Sequence, residues 1–153
     1  MKRLSAVIIL LFVLLGSISA HAQSAEEWIR QGKNYLKDPD SYYCDKSNYE
    51  EAFKCFNNAV IADPNLADAY YWRGKVLVCI AVRNKSNSNP GWREYILMAT
   101  ADFDNAIMIE PDYAEAFCFR GSGYHVLENH AKAFADLERA CELGCDWACS
   151  IVK

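Results

Sequence analysis

Seven cysteines, Cys44, Cys55, Cys79, Cys118, Cys141, Cys145 and Cys149, are the residues of this chain best suited to chemistry. Thiolates bind metals, attack electrophiles or pair as disulfides. The spacing argues against the first two uses. There is no Cys-x-x-Cys and no Cys-x-x-Cys-His. Cys141, Cys145 and Cys149 are four apart, but they share a helix face only if the helix runs unbroken through Gly144. His125 and His130 stand at no zinc spacing. No serine lies in a nucleophile elbow, and no glycine-rich loop offers a phosphate cradle. Asp102 and Asp104 read as the solvated edge of a helix rather than an acid–base pair. The expectation is therefore no catalysis, no metal and no cofactor, with pairing in disulfides as the leading use of the thiols.

Pairing depends on compartment, and the amino terminus bears on it. Lys2 and Arg3 precede an apolar run from Ala6 to Leu15, and Ala20-His21-Ala22 follows. Charge, apolar core and small-x-small site, in that order, form a secretory signal peptide. The run falls short of the roughly 20 residues that span a bilayer. We expect cleavage between Ala22 and Gln23, an exported, periplasmic or secreted product, and no stable membrane insertion afterwards. The chain then divides into a signal segment, 1–22, and a single domain, 23–153. Cleavage removes two basic residues and no acid, which takes the formal charge from −4 to −6. An acidic domain gives no electrostatic footing for nucleic acid. All seven cysteines stay, so at least one is left over from intrachain pairing.

The domain must position these residues through a repeat. Trp28-x-x-Gln31-Gly32-x-x-Tyr35 is followed by Ala52-x-x-x-Phe56-x-x-Ala59 and Pro64. Tyr70-x-x-Arg73-Gly74-x-x-Leu77 is followed by Ala99-x-x-x-Phe103-x-x-Ala106 and Pro111. Phe117-x-x-Arg120-Gly121-x-x-Tyr124 is followed by Ala133-x-x-x-Leu137-x-x-Ala140, with Cys145 in place of the proline. Apolar residues three and four apart make one helix face. Glycine inside a helix costs propensity, so Gly32, Gly74 and Gly121 point to close approach of a partner helix, with Ala52, Ala99 and Ala133 on its side. This pattern resembles the tetratricopeptide repeat (TPR) family. The resemblance implies an all-α, right-handed solenoid of three antiparallel helix hairpins plus a short C-terminal helix, with repeats at about 25–66, 67–113 and 114–147.

Periodicity and breakers place helices at roughly 24–37, 47–62, 66–84, 90–109, 113–127 and 130–143, with a seventh from near Trp147. Ser24-x-x-Glu27 and Ser47-x-x-Glu50 have capping-box form. Asn65 with Asp68, and Asp112 with Glu115, are weaker versions, and Asn89 before Pro90 reads as a further N-cap. Gly121 to Ala133 is 12 residues, but Gly32 to Ala52 is 20 and Gly74 to Ala99 is 25. The first two hairpins thus carry 8 and 13 extra residues, both at the same end of the stack.

Ala140-Cys141-Glu142-Leu143-Gly144 through Ala148-Cys149 also resembles secreted cysteine-rich helical repeats related to TPR. That resemblance implies a Cys141–Cys149 disulfide across the turn. Cys44 and Cys79 fall at one end of the stack and can pair. Cys55 and Cys118 read as packed helix residues, and Cys145 as the leftover thiol.

In TPR domains the first helix of each hairpin lines a groove. By aligned position that groove takes Arg30, Lys33, Tyr71, Trp72, Lys75, Phe119 and Ser122. The family's carboxylate-binding clamp has no counterpart, because Ile29, Trp72, Glu115 and Phe119 occupy the matching positions. The resemblance implies an exported, non-catalytic interaction module holding a peptide or protein segment over an aromatic floor with a basic rim. The alternative is a cell-envelope cysteine-rich repeat protein that binds or acts on wall polymer.

Overall fold

A computed structural model describes residues 23–40 and 48–152. The signal segment and its cleavage junction, and Cys44 with the tyrosines at 42 and 43, lie outside these residues or at their edge. Seven helices and no strand occur among the described residues: α1 (Ala25–Asn34), α2 (Tyr49–Ala62), α3 (Ala67–Ser86), α4 (Trp92–Ile109), α5 (Ala114–Val126), α6 (His130–Glu142) and α7 (Asp146–Val152). They pair as α1·α2, α3·α4 and α5·α6, each hairpin packs on the next, and α7 closes the stack against α6.

The caps differ in part from expectation. Ser24 Oγ accepts from the Glu27 amide at 3.2 Å, as its motif requires. The second helix is capped by Asn48, whose side chain accepts from the Glu51 amide; Ser47, of the expected Ser47-x-x-Glu50 box, lies outside the described residues. Neither Asn65 nor Asp112 caps a helix; α3 and α5 start after Leu66 and Tyr113 without a side-chain cap. Asn89 instead folds into a turn, its side chain accepting from the Gly91 amide, and α4 begins at Trp92. Most of the second insertion becomes helix, which makes α3 20 and α4 18 residues long.

The core contains the expected Phe56, Ala59, Ala99, Phe103, Ala133 and Leu137; Trp28 packs against it only partly buried. The helical glycines meet rings more than alanines. A Cβ on Gly32 would lie 2.4 Å from the Phe56 ring, and one on Gly74 2.8 Å from the Phe103 ring. A Cβ on Gly121 would lie 3.1 Å from the Ala133 carbonyl oxygen, with Leu137 where the others have Phe. Gly74→Leu is expected to destabilise the protein by about 1 to 3 kcal/mol or more through overpacking. Thermal melts followed by circular dichroism check this; wild-type melting would mean that α3 and α4 do not meet there.

Beside the Gly74 and Gly121 contacts runs an ion pair that the sequence reading missed. Arg73 grips Asp102 with two hydrogen bonds of 2.9 and 2.7 Å and reaches Asn57 of the preceding hairpin at 2.9 Å. Arg120 grips Asp136 at 2.8 and 2.7 Å and reaches Asp104 of the preceding hairpin at 2.6 Å. Each arginine therefore ties its own hairpin together and then ties that hairpin to its neighbour. Asp102 is buried, which corrects its reading as a solvated edge. Burial pushes its carboxyl up, against the pull of Arg73.

Candidate peptide-binding face

The first helices α1, α3 and α5 lie side by side and present the expected groove residues. Their packing, however, draws the aromatics inward. Trp72 stacks on Phe56 at 5.8 Å, and Tyr71 meets Trp72, Phe119 and Tyr113 at 5.1, 5.8 and 5.0 Å between ring centres. Tyr71, Trp72 and Phe119 are each at most 5% exposed. They bind repeat to repeat and leave only an edge of the face aromatic.

The cations differ from one another. Arg30 pairs with Glu27 of its own helix on the exposed side. Lys33 sits 4.1 Å over the Trp72 ring. Lys75 is buried between Trp72 and Phe119, at 4.9 and 5.0 Å, and its Nζ donates to the Pro39 carbonyl. Desolvation pulls Lys75 down to about 8, against the pull of Asp40 and Asp38. Pro39 and Asp40, at the start of the first insertion, thus lie against the face. Ser122 bonds the Cys118 carbonyl one turn back.

Two adjoining cavities open here, of about 550 and about 370 Å³. They share Asp68, Tyr113 and Glu115. Lys33, Tyr71, Trp72, Pro39 and Asp40 line the smaller one; Glu110, Asp112 and Gly144 are among the residues lining the larger. Asp40, Asp68, Glu110, Asp112 and Glu115 are all exposed, so acids outnumber Lys33 around the opening. Tyr113 donates to Asp68, and Arg139 holds Asp112 at 3.1 Å. Beside the expected basic residues, the cavities thus carry an acidic rim. Reading by position missed these acids because they sit in the first turns and connecting loops, where they read as caps.

The Cys141–Cys149 disulfide is present, with Cα atoms 4.6 Å apart. Cys79 is also disulfide-bonded; Cys44, its expected partner, is outside the described residues. Among the described residues no group of three or more His, Cys, Asp or Glu could hold a metal, and no helix is long and apolar enough to cross a membrane.

With this geometry in hand, comparison with known proteins gives a consistent fold. A TPR repeat family profile matches residues 41–78, which takes in α2 and most of α3. No curated protein sequence matches the chain. The second TPR domain of Spaghetti (RPAP3), solved bound to the HSP90 peptide SRMEEVD, superposes with a TM-score of 0.63 at 21% identity, over 83% of this chain and 98% of its own. The first TPR domain of the same protein, bound to the same peptide, gives 0.65 and 21%, over 86% and 89%. The fold across the three hairpins is thus that of tetratricopeptide-repeat domains, and the repeat's sequence signature is matched over residues 41–78.

Proposed function

We propose that this protein is an exported, non-catalytic interaction module that holds an extended, basic segment of another protein on the face formed by α1, α3 and α5. One observation carries the reading: two adjoining cavities on that face, walled by exposed carboxylates over a tyrosine–tryptophan edge, with the Pro39–Asp40 turn already laid against one of them. The RPAP3 domains hold an acidic peptide on the same fold. Here the acidic rim favours the opposite charge, since like charges across an interface are costly. Export rests on the signal-like leader and fits the disulfides. The absence of a nucleophile, base or metal constellation in the sequence supports a role without catalysis.

The test is a random peptide display library panned on the full chain. Enriched peptides are expected to carry Lys or Arg beside aromatics. Glu110→Lys with Glu115→Lys is expected to weaken the best of them at least tenfold, equivalent to about 1.4 kcal/mol. Binding is expected to weaken as added salt shortens the screening length from about 10 Å at 0.1 M to about 3 Å at 1 M. Acidic winners, or indifference to the charge reversal, overturn the assignment. The terminal disulfide lends some support to a second reading, the wall-polymer one; sedimentation with isolated cell wall, unaffected by the reversal, is its mark.

A further inference from the structure

Two cysteines that the sequence reading assigned to packing and to the leftover thiol meet inside the third hairpin. Cys118 lies on α5 and is fully buried. Cys145 occupies the turn between α6 and α7 and is 4% exposed. Their sulfurs are 2.8 Å apart, closer than two unbonded sulfur atoms ordinarily stand. They share an apolar cluster with Leu137, Ala140 and Ala148. Backbone geometry turns Cys145 inward: Gly144 adopts φ +95°, the Cys145 amide closes α6 on the Ala140 carbonyl, and the Cys145 carbonyl receives the Cys149 amide at the start of α7.

We infer that Cys118 and Cys145 form a further disulfide, which locks the end of the repeat stack. The known bridge, Cys141–Cys149, ties α7 to α6; the new one ties the turn ahead of α7 to α5. A helix of 7 residues has no stability of its own. With both bridges it is held to both helices of the last hairpin, and it covers an apolar end that a solenoid otherwise leaves open.

The chemistry balances with a disulfide-bearing oxidant, such as oxidised glutathione or a thiol oxidoreductase. One cysteine, as thiolate, attacks a sulfur of the oxidant, forms a mixed disulfide and expels one thiol. The other, as thiolate, then attacks the protein sulfur of that mixed disulfide and expels the second thiol. The protein loses two electrons and two protons, and the oxidant is reduced to two thiols. Thiolate formation and access are the slow requirements. Burial pushes the Cys118 thiol up and shuts out the oxidant, so the bond forms while α7 is still undocked.

The experiment refolds the full chain in a glutathione redox buffer, alkylates it in denaturant without reductant and maps the peptides by mass spectrometry. The expected result is a linked pair of peptides holding Cys118 and Cys145, with Cys55 alkylated. A parallel sample, folded under reductant and only then given oxidised glutathione, is expected to form this link at least tenfold more slowly. Alkylation of both Cys118 and Cys145 beside an intact Cys141–Cys149 link overturns the proposal, and so does a link from either to another cysteine. Fast linking in the folded sample overturns the order of events. The wild-type map needs no variant that folds.

Discussion

Asp102→Ala is expected to cost about 3 kcal/mol of stability, the lower end of the range for breaking a buried ion pair. Asp102 is 4% exposed and takes both hydrogen bonds from Arg73. Its removal leaves the guanidinium with Asn57 and the Tyr70 ring, although one edge of Arg73 still reaches water. Most of the loss is the cost of an uncompensated charge, not the worth of the pair. Accordingly Arg73→Met with Asp102→Leu is expected to recover most of it. Arg73→Met alone adds a test by pH. Burial already pushes the Asp102 carboxyl above its usual value, and losing Arg73 pushes it further. A carboxyl with a raised folded pKa keeps its proton in the fold and releases it on unfolding. Stability of this variant should therefore fall as pH rises through the window above 3.8, relative to the double variant. Urea denaturation across pH measures both effects. A loss below about 1 kcal/mol for Asp102→Ala would place the pair with screened surface bridges.

This ion-pair ladder shows what was legible in the chain and what was not. The helices were, because a three-and-four period survives any loop length. The glycine contacts were, because glycine inside a helix needs a reason. The ladder was hidden by the insertion: Arg73 and Asp102 are 29 residues apart, Arg120 and Asp136 only 16. The difference is the 13-residue insertion. With the hairpins aligned on Gly and Ala, each Asp falls three after the alanine and each Arg one before the glycine. The first hairpin has Gln31 and Cys55 at those places, so it lacks the pair. The inward turn of Cys145 was hidden for a different reason: nothing in residue order tells which way a left-handed glycine will aim its neighbour. The acidic rim of the face was hidden because its carboxylates come from three separate turns that only the stacking of α3 on α5 brings together.

Trp72→Ala is expected to lose about 3 to 5 kcal/mol of stability, as for other large buried aromatics. Its ring is 5% exposed, stacks on Phe56 and meets the edge of Tyr71, so it joins the first hairpin to the second. Lys33 and Lys75 lie over it; in the variant both lose that ring, and Lys75 keeps the Phe119 ring. A coupling of about 0.5 to 1.5 kcal/mol between Trp72 and Phe56, beyond their burial, is expected in a double-mutant cycle with Phe56→Leu. The same position bears on function. An open aromatic anchor would lose 2 kcal/mol or more of binding on truncation, about 30-fold, while leaving the fold alone. A buried strut does the reverse: the folded fraction falls, and binding per folded molecule stays within a few-fold. Denaturation midpoints together with titration of a selected peptide separate the two. If Trp72→Ala melts within about 1 kcal/mol of wild type and still loses binding 30-fold, the tryptophan is the anchor, and the junction of the first two hairpins must be held by something else.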